Sequence, residues 1–244
     1  MRTLLFLLSL SFTLPVWAEQ KTVVFTSTDN CRIEAFYLAP SSGALVFVNV
    51  HGLGSDKNEW GNFQKQLKAG GYGYLSLDLR GHGGSARCGG KKLSYTSLDE
   101  AGWNAASRDI EAGAAWLNKR GTPPERQVFC GASVGANLVL KAAVEGSLKP
   151  AVLVLLSPGL NYAGVQTPRY FTAPRAFRVL TVASRADGYA WESATALNRA
   201  AMAKGLPAYA LEAAGGHGVD MLKTPSVIPA IISWAAQPAP AGQK

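Results

Sequence analysis

The amino-acid sequence predicts an α/β fold, a mostly parallel sheet with helices on both faces, from three observations. Short apolar runs typical of buried strands alternate along the chain with longer runs of helical character. Glycine and proline stand at the ends of most of these runs, where a chain turns. Hydrophobic residues make up 48% of the chain and charged residues 16%, a composition that permits a sizeable core and argues against global disorder.

The first half of the chain contributes a β-hairpin, two buried strands and two helices. The hairpin turns around Asp29 and Asn30, and a nearly continuous apolar run follows it, as expected for a strand covered on both faces. Each helix ends at a glycine, the second with Pro123 beyond it. The predicted strands are 22–27, 32–38, 44–50 and 74–79, and the predicted helices are 60–69 and 98–119.

The second half repeats the alternation of strand and helix. Pro158 and Gly159 end one strand, and Gly205 ends one helix. The predicted strands are 127–130, 151–156, 178–183 and 209–212, and the predicted helices are 136–143, 191–204 and 227–236. With no internal repeat or long linker, the 244 residues predict one large domain, over 19–236, and a flexible tail over 237–244.

The first 18 residues are predicted to be a secretory signal peptide. Arg2 precedes an apolar run over 4–14, and Val16, Trp17 and Ala18 form a small-x-small cleavage site before Glu19. The run is shorter than the roughly 20 residues that span a bilayer, so no stable membrane span is expected after cleavage. An uncleaved anchor is the alternative. The mature chain is expected in the periplasm or outside the cell.

Charge and cysteine content limit the partners and cofactors. The net charge is +8, but Lys and Arg are scattered, which favours a role in solubility over nucleic-acid binding. The absence of a Cys-x-x-Cys pair leaves a zinc site without support. Of the three cysteines, Cys130 lies in a strand and is expected to be buried. Cys31 and Cys88 remain as a candidate disulfide in an oxidising compartment.

A Gly-Ala-Ser-Val-Gly stretch at 131–135 is the strongest functional motif. It lies between a short apolar strand and a helical run. On such a sharp strand-to-helix turn the serine oxygen is lifted clear of the backbone, and glycines on either side avoid crowding the neighbouring strand and helix. Ser133 is therefore the candidate nucleophile.

A serine nucleophile needs a base and a third group that orients the base. In this arrangement the chain order is serine, acid, histidine, and His217 is the only histidine after Ser133. Among the later acids, Asp187 follows a strand, where catalytic groups gather in open α/β sheets, and Glu212 is the alternative. The predicted triad is Ser133, His217 and Asp187.

Two glycine-containing loops precede the nucleophile. In His-Gly-Leu-Gly at 51–54, the N–H of Leu53 is expected to join that of Val134 as an oxyanion hole, with His51 structural. The stretch 81–86 is similar to a dinucleotide-binding fingerprint, but no amphipathic helix follows it. His82 is therefore also expected to be structural, and neither a cofactor nor a metal is expected.

Together these motifs resemble those of the α/β-hydrolase superfamily. The similarity is to lid-poor members related to monoglyceride lipases and serine aminopeptidases, or to dienelactone hydrolases, which usually carry a cysteine nucleophile. The matching segments are 51–54, 78–85 and 131–135, with Asp187 after a strand and His217 between glycines.

The resemblance implies an eight-stranded sheet with the second strand antiparallel. The start of that strand would lie beside the loop after strand four, which supports a Cys31–Cys88 bridge. Many lipase-like members carry a helical lid, for which residues 161–176 are too few. In that segment Tyr162, Tyr170 and Phe171 could line a substrate pocket or cover the edge of the core.

These observations predict an exported serine hydrolase that cleaves small-molecule carboxylic esters or thioesters through an acyl-enzyme. A peptidase is the second hypothesis, although no acidic group is identified that would hold a substrate amine. A non-catalytic binding protein on a hydrolase scaffold is the third. The sequence does not indicate an oligomeric state.

Overall fold

The computed structural model describes residues 19–167 and 177–238, which form a central sheet between two layers of helices. The strands are β1 Lys21–Thr26, β2 Cys31–Leu38, β3 Val46–Val50, β4 Gly73–Leu77, β5 Arg87–Cys88, β6 Lys91–Lys92, β7 Gln127–Ala132, β8 Val152–Leu156, β9 Asn161–Tyr162, β10 Val165–Gln166, β11 Arg178–Ala183 and β12 Ala208–Glu212. The helices are α1 Gly61–Ala69, α2 Glu100–Ala105, α3 Ser107–Asn118, α4 Val134–Glu145, α5 Gly188–Ala203 and α6 Val227–Ala236.

The sheet has the order β12-β11-β8-β7-β3-β4-β2-β5-β6, and β1 pairs with β2. The six strands from β12 to β4 are parallel, whereas β2 is antiparallel to β1, β4 and β5. The predicted fold class is confirmed, including the antiparallel second strand. The two-residue strands β5 and β6 extend the eight predicted strands to ten within the described part of the chain.

Helices cover both faces of the sheet, and the alternation of side chains along β3 shows the two cores. Val46, Val48 and Val50 join one core with α3, α4 and α5, whereas Phe47 joins the other with α1 and α6. All five residues of β3 are buried, because a central parallel strand packs on both sides. This core fixes the ends of the parallel strands, where the candidate site residues lie.

Several predicted boundaries are wrong. The predicted helix 98–119 is divided at Ala106, where Ala106 and Asp109 donate to carbonyls three residues back instead of four. Helix α1 begins one residue late because a 3₁₀ turn, Lys57–Trp60, precedes it, with the Asp56 carboxylate accepting from the Asn58 amide. The ribbon β5–β6 and the hairpin β9–β10 were not predicted, since two-residue strands carry almost no hydrophobic pattern.

The ends of the chain lie outside the described residues. The predicted signal peptide, 1–18, and residues 239–244 of the predicted tail both belong to these ends. Within the described ranges, no helix combines the length and apolarity that a bilayer crossing requires.

A disulfide bond joins Cys31 at the start of β2 to Cys88 in β5. The two residues are directly paired across the strands, and Cys31 is fully buried. The third cysteine, Cys130, is free and buried in β7, and burial raises the pKa of its thiol. The disulfide therefore fastens the segment after β4 to the antiparallel side of the sheet.

Titration of the unfolded protein without reductant should find one thiol per chain, and three after reduction. A Cys31→Ser/Cys88→Ser variant should lose about 4 kcal/mol of unfolding free energy, because the bond closes a loop of 57 residues in the unfolded chain. Denaturant unfolding measures this loss. Cys130→Ala is the matched control, with no thiol before reduction and two after it. Three thiols before reduction in the unaltered protein would contradict the bond.

Candidate active site

Ser133 lies at the sharp turn between β7 and α4. Its backbone has φ 54° and ψ −122°, a region that non-glycine residues enter at a cost of roughly 1–3 kcal/mol. A Cβ at Gly131 would overlap the Gly135 carbonyl, and one at Gly135 would overlap the Val50 carbonyl. The two glycines are therefore required for α4 to pass this close to β7 and β3, and this packing presents Ser133 at the end of the sheet.

His217 and Asp187 form a hydrogen-bonded pair at the same end of the sheet. Asp187 follows β11 and stands immediately before α5, and its Oδ2 lies 2.5 Å from His217 Nδ1. The His217 side chain is 47% exposed and that of Asp187 22%. Because a carboxylate accepts, Nδ1 is the protonated nitrogen of a neutral His217, and Nε2 has a free lone pair.

Backbone contacts bring His217 close to the turn that contains Ser133. A Cβ at Gly218 would lie 3.5 Å from the Ala132 Cβ, so the residues adjoining His217 and Ser133 touch. The Gly218 amide donates to Ser157 Oγ at 2.9 Å, which fastens the histidine loop to the end of β8. Within the described residues no hydrogen bond joins Ser133 to His217. Such bonds often tighten only when substrate binds.

The alternative acid, Glu212, is directed elsewhere. Its Oε1 accepts from Arg185 Nε at 2.9 Å, in an exposed ion pair at the end of β12. The structure therefore places Asp187, and not Glu212, on the histidine.

Both predicted oxyanion donors lie beside Ser133. Val134 is the first residue of α4, where an amide has no acceptor within the helix. Leu53 lies in the loop after β3 and is 60% exposed, and a Cβ on the adjoining Gly52 would be 3.5 Å from the Ser133 Cβ. Neither amide donates to another residue in the described ranges. Two free N–H groups next to a serine can stabilise a developing oxyanion.

His51 holds this loop from inside the protein. Its Nε2 accepts the Leu79 amide at 2.9 Å, so its Nδ1 carries the proton and donates to the Gly52 carbonyl at 2.7 Å. Burial lowers the pKa of His51 to about 3, which keeps the ring neutral. Glu59, which sequence reasoning missed, accepts the Gly52 amide at 3.1 Å. His51 therefore has the structural role predicted for it.

The charged side chains of the 78–85 motif form structural contacts within the protein. The buried Asp78 carboxylate accepts from Lys57 Nζ at 2.7 Å and from the Gly84 amide at 2.7 Å. Arg80 donates to the fully buried Asp109 and, on the surface side, to Asp29. Although burial opposes it, these hydrogen bonds from Arg80 hold the pKa of Asp29 well below its usual range. The motif thus anchors the loop after β4.

Aromatic side chains border the histidine. The Tyr162 ring lies edge-on to His217, 6.3 Å between centroids, and 5.5 Å from the Tyr189 ring, which sequence reasoning missed. Burial, with the Asp187 carboxylate and Tyr189, raises the pKa of Tyr162 to about 12. Asn137 of α4 carries the β9–β10 hairpin by donating to the Val165 carbonyl at 2.8 Å. The other two predicted pocket residues, Tyr170 and Phe171, lie outside the described residues.

One group of side chains in the described ranges has the spacing of a metal site: Asp29, Cys31 and Asp109. Its chemistry does not fit a metal, because the Cys31 sulfur is in the disulfide and both carboxylates accept from Arg80. This cluster is an ion-pair network.

Comparisons with known proteins agree with this architecture. Residues 45–241 match the sequence model of the Alpha/beta hydrolase family, whereas no curated protein matches the chain by sequence. The fold is similar to that of esterase Pf2001 from Pyrococcus furiosus, with a TM-score of 0.72 and 15% identity over 89% of each chain.

Two further solved structures are similar at comparable identity. The Exiguobacterium antarcticum esterase EaEST has a TM-score of 0.67 and 13% identity over 89% of this chain and 100% of its own. The Pyrococcus horikoshii acylaminoacyl peptidase has a TM-score of 0.69 and 15% identity, over 93% of this chain and 43% of its own. At these identities the likeness is one of fold.

The buried, neutral His51 predicts a pH-dependent stability. Its pKa is about 3 in the folded protein and about 6.5 in an unfolded chain, so only the unfolded chain takes up a proton as the pH falls below about 6.5. This contribution is complete above that pH and is lost as the pH falls towards 3. Between pH 7 and 5.5 it should cost about 1 kcal/mol of unfolding free energy.

Denaturant unfolding across this pH range, compared with His51→Gln, isolates the effect because the variant has no titrating group at this position. The pH dependence of the variant should be weaker by that amount. An equal slope in both proteins would show that His51 is not buried in its neutral form.

Proposed function

The chain belongs to the Alpha/beta hydrolase family, and from that premise we propose that it is an exported serine hydrolase acting on carboxylic esters or thioesters. The proposal is carried by one juxtaposition. A serine in a strained strand-to-helix turn stands next to a histidine loop whose Nδ1 is bound by a carboxylate. Fold alone does not define a reaction, whereas this set of groups suits acyl transfer.

In the proposed reaction Ser133 Oγ attacks the substrate carbonyl carbon while His217 Nε2 takes the hydroxyl proton. The carbonyl electrons move onto oxygen, and the N–H groups of Leu53 and Val134 stabilise the resulting negative charge. Asp187 keeps the imidazole in the required tautomer and stabilises the imidazolium. His217 then protonates the leaving alcohol or thiol as the tetrahedral intermediate collapses to an acyl-enzyme.

Water releases the acyl group in the second half of the reaction. His217 removes a proton from the attacking water, and the second tetrahedral intermediate expels Ser133 Oγ, which recovers its proton from the histidine. Each step uses side chains and amides of this chain.

The surroundings of the pair support a small-molecule substrate. His217 is half-exposed, so a substrate could reach Nε2 from solvent, and Tyr162 and Tyr189 offer an aromatic border to an acyl or alcohol group. Two of the similar structures described above are esterases by name. These observations favour an ester or thioester over a large polymer.

A peptidase is the second candidate, favoured by the similarity in fold to an acylaminoacyl peptidase. An aminopeptidase would need a free carboxylate to hold the substrate amine. Two acids near the site are already engaged, Asp187 by His217 and Glu59 by the Gly52 amide. Measuring turnover of short- and long-chain acyl esters, thioesters and amino-acid amides distinguishes the esterase hypothesis from the peptidase hypothesis. Turnover of amides alone would favour the peptidase.

Incubation with a fluorophosphonate probe should label the protein once per chain, at Ser133. The label should be absent in Ser133→Ala, which removes the nucleophile. Gel fluorescence and peptide mass spectrometry measure both results. An unlabelled native protein that also turns over none of these substrates would contradict the proposal and favour a binding function on this fold.

Substitutions at Asp187 and at the alternative acid, Glu212, test which carboxylate belongs to the triad. Asp187→Asn should reduce ester turnover by about 10³–10⁴-fold, since the amide favours the wrong histidine tautomer. Glu212→Gln removes a surface ion pair and should remain within about twofold of the native rate. Equal losses in the two variants would reject the assignment of Asp187.

Export is supported by the signal-like residues 1–18 and by the disulfide, which persists in oxidising compartments. The protein recovered from the periplasm or medium should begin at Glu19. Intact mass measurement checks this, with Ala18→Leu as a variant whose cleavage should be impaired. A cytoplasmic protein beginning at Met1 would contradict export.

A further inference from the structure

His82 belongs to the second glycine-containing motif, and the proposed reaction makes no use of it. Only 3% of the residue is exposed, and its ring is enclosed by three others. It stacks on Tyr95 with 4.3 Å between centroids, and it meets His51 and Trp103 edge to face at 4.7 and 5.7 Å. A polar ring enclosed this completely needs partners for both nitrogens.

Both partners are backbone groups. The Gly54 amide donates to His82 Nε2 at 3.3 Å, so Nδ1 carries the proton and donates to the Arg80 carbonyl at 3.1 Å. The ring thus bridges two loops, the one after β3 that contains Leu53 and the one after β4 that contains His82 itself. Burial lowers the pKa of His82, so the neutral form that can accept from Gly54 is favoured.

The Gly54 amide matters because of what precedes it. Leu53, the candidate oxyanion donor, stands between two glycines in a loop that has left the β-ladder. Glycine admits many backbone conformations, and Gly54 itself has φ 71°. On the Gly52 side the loop is held by His51 and Glu59, and on the Gly54 side His82 supplies the side-chain hydrogen bond.

We propose that His82 is a positioning residue, which fixes the Gly54 amide and thereby the direction in which the Leu53 N–H points. The inference rests on the proposed serine hydrolase function. His82 touches neither substrate nor reacting atoms. It acts through the backbone on the Leu53 N–H, which can stabilise the developing negative charge only if it points at the oxyanion.

The segment carrying His82 is itself well anchored. Tyr95, on which the ring stacks, donates its amide to the Gly81 carbonyl at 3.1 Å, and Gly89 donates to the Asn30 carbonyl at 2.8 Å, next to the disulfide. The loop 51–54, which contains Leu53, is therefore connected through His82 to the antiparallel side of the sheet.

Two conservative variants separate the two hydrogen bonds of the ring. In His82→Asn the side-chain amide takes the place of Nδ1, so it can still donate to Arg80 but leaves Gly54 without an acceptor. In His82→Gln the terminal amide takes the place of Nε2, and its oxygen can still accept from Gly54 while the Arg80 carbonyl loses its donor. Both variants change the packing around residue 82, whereas only His82→Asn loses the hydrogen bond from the Gly54 amide.

With ester substrates, His82→Asn should lower kcat by about 10- to 100-fold and leave KM within about threefold. Removal of an oxyanion donor lowers kcat by about 10²–10³-fold, and a misdirected donor should cause part of that loss. His82→Gln should retain kcat within about threefold. Thermal unfolding of both variants measures the folded fraction. Equal losses of kcat, or losses that follow the folded fraction, would overturn the proposal.

Hydrogen exchange of the Gly54 amide, followed by NMR on the full chain, gives a readout that needs no substrate. Exchange should be at least about tenfold faster in His82→Asn than in His82→Gln, with the amides of β3 and β7 unchanged. Equal exchange in the two variants would also overturn the proposal. If the native protein neither reacts with fluorophosphonate nor turns over esters, the proposed function fails, and Gly54 exchange still decides whether His82 orders the loop.

Discussion

The close approach of α4 to the centre of the sheet governs the arrangement of the candidate site. Gly135 packs against the Val50 carbonyl, where β3 ends, and Gly131 packs against Gly135, so that no side chain fits at either position. This contact sets Ser133 beside Gly52 and turns its backbone into a strained conformation. The buried parallel strands, covered on both faces, hold the turn in that shape. The packing of these two glycines thus brings Ser133 next to the loop that follows β3.

Buried polar side chains hold the loops around Ser133. His51 and His82 each accept a backbone amide at Nε2 and donate from Nδ1 to a carbonyl. The buried ion pairs of Asp78 and Arg80 hold the next loop. Burying such groups is costly unless every partner is present. Their complete pairing favours one loop geometry, and the proposed hydrolytic chemistry uses Ser133, His217 and Asp187 instead.

The histidine of the candidate site is open to solvent. His217 is half-exposed, and its loop is fastened by Gly218 to Ser157. Tyr162, in the short β9–β10 hairpin, lies edge-on to His217, and Asn137 holds this hairpin by donating to the carbonyl of Val165, the residue paired with Tyr162. Acyl transfer needs an ordered nucleophile and oxyanion hole, but it also needs access for substrate and water. The half-exposed His217 and the packed turn at Ser133 suit the acyl transfer that we propose.

The sequence by itself determined the fold class, the strand-to-helix turn at Ser133 and His217 as the one histidine beyond it, since these depend on local pattern and chain order. Strand and helix boundaries were within a few residues, except where Ala106 interrupts a helix and where two-residue strands lack a pattern. The sequence favoured Asp187 over Glu212 because Asp187 follows a strand, but only the tertiary structure showed that Asp187 meets His217 while Glu212 pairs with Arg185. It alone decided that His82 reaches Gly54. The reason is physical: these contacts join loops that are distant in the chain and meet only because parallel strands end at one edge of the sheet.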